Sequence, residues 1–345
     1  MKLHQGIQRV LLVGVRLKVP PPPHPVDPPR RLLSLIETLA PFHLKFDALA
    51  LHYGHRYRSG FWAIYLLSAL AVLCAMLPLA LGWDDRLHLQ HPIAGLWALA
   101  EVLIIGTVST IYWLGHRRDW QGQWLRARTT AELIWYLPLV APLLDFTQPA
   151  TSANWYMRVF DPGNHLRSGD DFETICNQSE PLARTLLDAA WSDAPFITEY
   201  ALWTMGVLET QRNYHQRVAL RQHALLHRVH SVNIGLFGLT AVCALLHLFL
   251  HTIWLSLITT FFPALGASLH GALAQSEAYR LGTTSERLEA ELQRAISDIR
   301  AALNNHMAAP NPGPIKDSVQ SAIELILEEH QDWHMLVRPH HLPLA

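Results

Sequence analysis

The sequence predicts an all-α integral membrane protein: four transmembrane helices in two hairpins (2+2), continued by long cytoplasmic helices. Three observations predict it. Residues 61–81, 92–114, 232–251 and 253–274 are near 20 residues each, and Glu101 is the one Asp, Glu, Lys or Arg among them. Trp62, Tyr65, Trp83, Trp97, Tyr112 and Trp113 sit near the ends of the first two stretches, as an aromatic belt requires. Half of the 345 residues are apolar and 16% are charged, against roughly 25% charged in soluble domains.

Residues 1–31 hold one strand-like run, Arg9 to Val15, and then a proline-rich linker from Pro20 to Pro29. The run is too short and too basic at its end (Arg16, Lys18) for a secretory signal. From Arg31 to Tyr57, Leu32, Leu35, Ile36 and Leu39 recur at helical spacing, with Pro41 expected to interrupt the helix. Residues 61–81 then span about 30 Å as a helix, the thickness of a bilayer core. A short polar loop, Asp84-Asp85-Arg86, leads to the second span, and His116-Arg117-Arg118-Asp119 ends it.

Beyond that lies a polar helix and then Ile134 to Leu144, which is apolar but too short to cross, with Pro138 and Pro142 expected to break it. It is read as interfacial or packed on other cytoplasmic helices. Residues 145–195 read as loop-rich, with a turn at Asp161-Pro162-Gly163-Asn164. Asn177-Gln178-Ser179 matches the glycosylation pattern by chance on this reading, being on the cytoplasmic side.

Residues 196–231 predict a long helix entering the third span, and a turn of one or two residues joins it to the fourth, which contains Pro263 and Gly266. After Glu277, Leu281, Leu288, Leu292, Ile296, Ile299 and Leu303 line one face of an amphipathic helix. Asn311 to Pro314 breaks the chain before a last helix over 315–336. The organisation is therefore 1–31, a first two-transmembrane module at 32–144, a connection at 145–195, a second module at 196–306 and a C-terminal linker and helix at 307–345.

Orientation follows from basic residues near the spans. Arg56 and Arg58, Arg117 and Arg118, Arg221 and Arg228, and Arg280 and Arg287 all fall on one side, so both termini and the central region are expected in the cytoplasm of a multi-pass cell-membrane protein. The net charge of −1 gives no field suited to nucleic acid. Cys74, Cys176 and Cys243 form no pairing or metal motif. No phosphate loop, nucleophile elbow or dinucleotide fingerprint is present, so no cofactor and no catalytic residue is assigned, and the chain is not expected to be an enzyme.

Glu101 is the first candidate for function. A carboxylate inside a span costs about 2.5 kcal/mol or more on insertion scales unless it meets a cavity or a partner. It reads either as a pathway-lining acid, with Thr107, Ser109 and Thr110 along the same helix, or as a group bonded to a neighbouring helix. His247 is its counterpart in the second hairpin, near the outer interface with His251. His223, His227 and His230 share a helical face and could ligate a metal, or meet headgroups and acidic partners. Trp120 and Trp124 with Arg117, Arg118, Arg126 and Arg128 could clamp a cytoplasmic ligand through cation–π and phosphate contacts, or serve as interface anchors.

The two halves are alike. Ala71 to Leu77 resembles Ala241 to Leu246, and each hairpin follows a basic, aromatic helix (His52 to Arg58; Gln211 to Arg228). Tyr53, Arg56 and Tyr57 before the first hairpin, Tyr214 and Arg217 before the second, and charged helices after each (Trp124 to Arg128 with Glu132; Tyr279-Arg280 with Ser285-Glu286-Arg287) carry a resemblance. With these features the chain resembles the SLATT class of two-transmembrane effector domains, in two tandem copies over roughly 45–135 and 195–305. The resemblance implies an oligomer that forms pores or perturbs the bilayer in a nucleotide-signalled bacterial conflict system when a sensor is triggered. The chain departs from the class in having no recognisable sensor. Arg9 to Val15, read as the stub of a Rossmann-like strand, would make it a truncated or split member served by a separate cytoplasmic sensor protein. Two other functions fit the sequence: a non-conducting scaffold that anchors a cytoplasmic partner, and a membrane enzyme with a His-held metal.

Overall fold

The computed structural model describes residues 2–15, 21, 26–83, 92–144, 170–250 and 252–337. Among them every regular element is helical. The helices are α1 (Leu3–Leu11), α2 (Leu33–Ala80), α3 (Pro92–Arg117), α4 (Trp120–Val140), α5 (Asp170–Leu187), α6 (Ala194–His247), α7 (Ile253–Gln275), α8 (Ala278–Ala308) and α9 (Gly313–Val337), with single 3₁₀ turns at Arg30–Leu32, Ala141–Leu143 and Ala190–Ser192.

A head bundle forms first from the sequence pattern. Leu32, just before α2, and Leu35 and Leu39 at its start are at most 2% exposed. They join the second half of α4, the buried stripe Phe172, Ile175, Cys176 and Ala183 of α5, the first half of α6, and α9. Leu288, Leu292, Ile296, Ile299 and Leu303 of α8 fill the same core, on the face that their spacing marks. Pro41 does not interrupt α2, which runs unbroken for 48 residues. Glu37 and Pro41 are both exposed, so water can take the carbonyl that proline leaves without a donor. Pro138 likewise lies inside α4, and the helix gives way to a 3₁₀ turn only at Ala141. The carbonyls at that buried end are met by aromatic donors: Tyr200 donates its hydroxyl to Leu139 O, and Trp191 donates Nε1–H to Pro142 O at 2.6 Å. A helix end can be buried only when such partners exist.

Beyond the head bundle, four helices are long and apolar enough to cross a membrane. They are α3 and the apolar segments of α2, α6 and α7. α3 lies against α2, while α7 lies against both α6 and α2. Many of their apolar side chains stay on the outside: Val102 and Leu245 are 65% and 63% exposed. Hydroxyls on these faces bond back to their own helix, Thr107 to Leu103 O at 2.7 Å, Thr110 to Gly106 O at 2.7 Å and Thr240 to Leu236 O at 2.8 Å, so these three hydroxyls are satisfied without water. Gly271 lets α7 approach α2, because a Cβ there would stand 2.5 Å from Tyr65 Cε1; small residues serve this purpose between membrane helices.

The halves share an element order. A long helix carries the chain from the head bundle into an apolar segment, and an apolar helix returns. Then a two-residue break holds an acidic residue in the left-handed region, Asp119 (φ 44°) or Glu277 (φ 53°), before a further helix.

Three local expectations are corrected. The run Arg9–Val15 is not a strand. Leu3–Leu11 is a helix with buried His4 and partly buried Ile7 and Leu11 facing α2 and α6, so the strand stub of a lost sensor domain is not there. Residues 145–195 are not loop-rich throughout, since Asp170–Leu187 is helical and its buried stripe recurs at three and four residues. The third and fourth apolar helices are joined by residues 248–252, more than the tight turn expected. The loop Asp84–Arg86, the turn Asp161–Asn164, His251, and Pro20, Pro22, Pro23 and Pro25 of the linker lie outside the described residues.

Candidate functional site

Where the apolar helices meet the head bundle, aromatic and basic side chains form a belt. Tyr57, Phe61 and Trp62 of α2, Trp124 of α4, Leu225 and Val229 of α6, and Leu269 and Leu273 of α7 make one buried cluster. Trp124, 7% exposed, stacks on Tyr57 with ring centroids 5.7 Å apart, and the Arg58 guanidinium lies 5.2 Å from its ring. Gly54 admits this arrangement: a Cβ there would stand 2.8 Å from Trp124 Nε1. Tyr57 accepts a bond from Gln275 Nε2 at 3.0 Å, which ties α2 to α7. Burial raises the Tyr57 phenol to about 12, so it stays neutral.

Helix α1 closes one side of the belt. His4 Nδ1 lies 3.1 Å from Ser59 Oγ, and its ring lies 5.3 Å from that of His55. Burial, then the positive charge of Arg58, lowers His4 to about 4. Arg228 donates to the carbonyls of Leu11 and Val13 at 3.2 and 2.8 Å, and Arg221 donates to Gln8 Oε1 at 2.6 Å. Basic side chains thus cap the carbonyl end of α1, the favourable sign for that end. Arg228→Ala is expected to speed amide exchange across Leu3–Leu11 roughly tenfold or more, since charge-assisted bonds contribute about 1.5–3 kcal/mol. Exchange measured by mass spectrometry checks this, and unchanged α1 protection would refute it.

The sequence candidates divide among different settings. Arg117 lies over Trp113 at 5.0 Å. Arg126 pairs with Asp119 at 2.8 Å, and Asp119 also accepts from Gly122 N at 3.1 Å to cap α4. Arg128 pairs with Glu132 one turn on. Trp124 is buried, Trp120 half-buried and Arg118 exposed. The Arg and Trp side chains thus serve several contacts rather than one common face. His223 Nε2 lies 3.5 Å from Glu286 Oε2. His227 and His230 line a cavity of about 820 Å³ with His270, Asn233 and Tyr65. Among the described residues no group of three His, Cys, Asp or Glu side chains is placed to hold a metal ion.

Glu101 is partly buried. Trp97, Glu101, Ile104, Val108, Ile111 and Gly115 form the less exposed stripe of α3, at alternating four- and three-residue steps. Val108 and Ile111 of that stripe pack on the belt, and α2 is the principal neighbour of α3. The acid is therefore on the inward seam, off the open apolar face. On α6, Asn233, Leu236, Thr240, Cys243 and His247 form the equivalent stripe.

Four apolar helices continuous with a helical head bundle, joined by an aromatic and basic belt, define the class of architecture. No protein-family model, curated protein or solved structure matches this chain.

Proposed function

We propose that the chain is a multi-pass effector of the cell membrane. The four apolar helices cross the bilayer as two hairpins, with the head bundle and both termini in the cytoplasm. The observation that carries this reading is the continuity of α2 and α6. Each runs unbroken from the core of the head bundle into an apolar segment, over 48 and 54 residues. A rotation or tilt imposed on the head is then transmitted along a rigid helix. The shared element order of the two halves and the left-handed acidic breaks at Asp119 and Glu277 support two tandem modules of the SLATT-like kind. The wide apolar faces of α3 and α6 support lipid contact and homo-oligomeric assembly.

Within this reading the assembled protein is channel-like and Glu101 lines its polar path. Its seam position supports this, because an acid inside hydrocarbon is tolerated only away from lipid. Cells expressing the wild type should leak ions above background, and Glu101→Ala should return leakage most of the way to background at equal membrane abundance. Background leakage from both would remove the channel-like reading in favour of a scaffold, which a stoichiometric soluble partner in pull-down would identify.

A further inference from the structure

Two pockets in the head bundle adjoin. The first, about 420 Å³, lies among α2, α4, α6 and α8 and is lined by Arg128, Arg217, Tyr214, Thr210, His215 and Ser285, with Glu132 on one wall. Its charged side chains are two Arg and one Glu, one positive charge in sum. Glu132 is engaged by Arg128. Arg217 spends one N–H on Asn213 O at 3.0 Å. His215 Nδ1 is 3.4 Å from Ser285 Oγ. The second pocket, about 410 Å³, is apolar: Ile36, Leu39, Ile134, Trp203 and Val207 line it, and Val26 and Pro28 of the proline-rich segment lie across it. Val26 is seated on α6, since a Cβ on Gly206 would stand 2.7 Å from its Cγ2.

His43 and Trp135 line both pockets. Their rings are 5.2 Å apart, and His43 Nδ1 is 3.0 Å from Ala131 O. At this pair the cationic chamber and the apolar one meet. Each chamber falls in the size range of small-molecule sites, roughly 300–1,000 Å³, where an apolar lining with a few convergent polar groups fixes a ligand.

We infer that the two chambers form one binding site for a small amphiphilic anion: a phosphate or carboxylate head at Arg217 and Arg128, and an apolar body beneath Val26 and Pro28. A guanidinium matches such heads through paired N–H donors, and Tyr214, Thr210 and Ser285 supply further hydrogen-bonding groups. Arg128 and His43 belong to the first half of the chain, and Arg217 and Ser285 to the second. The ligand therefore bridges the two halves. This inference concerns the head bundle alone and stands apart from whether the protein conducts.

Titration calorimetry of the full chain in lipid nanodiscs, with empty discs subtracted, tests it. Hexyl phosphate and hexanoate are the probes, with inorganic phosphate and 1-hexanol as head-only and tail-only controls. At least one probe should bind tenfold or more tightly than both controls. Arg217→Gln should weaken that probe roughly tenfold or more, the loss of charge-assisted hydrogen bonds, and Arg217→Lys should lose less. Ala40→Trp, at the wall of the apolar chamber, should reduce the probe to the affinity of its head alone. Thermal unfolding of each variant at the wild-type temperature confirms that it is folded. The site is refuted if both probes bind no better than the controls, or if folded Arg217→Gln and Ala40→Trp proteins bind the probe as the wild type does.

Discussion

Replacing Tyr200 by Ala is expected to destabilise the head bundle by about 3–5 kcal/mol. The side chain is 0% exposed. Its ring stacks on Phe196 at 5.7 Å and meets Trp191 edge-on at 5.8 Å, so removing it leaves a cavity among groups that cannot all close in. Its hydroxyl also supplies the donor for Leu139 O, at a helix end where Pro142 contributes no N–H. Burial pushes the phenol well above its ordinary range, so it remains a donor at every accessible pH. Tyr200→Phe isolates that part. The ring stays, the carbonyl loses its partner, and the expected cost falls to about 1–3 kcal/mol. In thermal unfolding of the solubilised protein the Ala variant should fall by roughly 6–20 °C, taking about 2–4 °C per kcal/mol for a unit of this size. An equal drop for Phe and Ala would mean that the hydrogen bond, not the ring, is what matters; no drop for Ala would refute the core assignment.

How far the fold is legible in the sequence differs from element to element. The apolar segments are legible because length and lack of charge mark them by composition alone, and no tertiary detail is needed to see them. The buried face of α8 is legible for a similar reason: Leu288, Leu292, Ile296, Ile299 and Leu303 repeat at helical spacing for four turns. Helix α1 is not. Val10 to Val13 is a short apolar run, and a run of that length carries no decisive period; His4 and the capping by Arg228 decide it, and both are tertiary. Helix α5 is hidden by composition, since Asp170, Asp171, Asn177, Ser179 and Pro181 suggest a loop while Phe172, Ile175, Cys176 and Ala183 keep helical spacing. Pro41 misleads because water can replace the hydrogen bond it breaks, and Pro138 because α4 continues past it to Val140 in a buried setting.

The candidate sites divide in the same way. Glu101 is visible as an oddity in an otherwise uncharged apolar stretch, although which face it occupies is known only from the helix packing. The pocket residues His43, Arg128, Arg217 and Ser285 come from four helices and no local spacing links them. A basic, aromatic helix could be recognised around Tyr214 and Arg217, but only the meeting of α2, α4, α6 and α8 turns it into a chamber.

The stability of the head bundle is expected to fall with acid well above the pH at which carboxylates titrate, and His215 is the residue to follow. It is 6% exposed. Burial lowers its pKa from 6.5 to about 4, with Glu132 raising it and Arg128 lowering it by smaller amounts. In the unfolded chain the imidazole takes up a proton near 6.5; in the folded chain it resists until about 4. Between those values the unfolded state binds more protons, so the contribution is whole above 6.5 and is lost as pH falls toward 4, with no further loss below. The full span is on the order of 3 kcal/mol, of which about 2 kcal/mol lies between pH 7 and pH 5. His4, also lowered to about 4, has the same sign, but its relief is local: protonation favours release of α1 from Ser59 and His55 before the bundle itself opens. Two readouts therefore separate the two groups. The melting temperature of the solubilised protein should drop from pH 7 to pH 5, and His215→Asn should flatten that limb. Amide exchange over Leu3–Leu11 should rise over the same interval in both proteins. An acid limb as steep in His215→Asn as in the wild type would show that the buried imidazole is not the group that governs it.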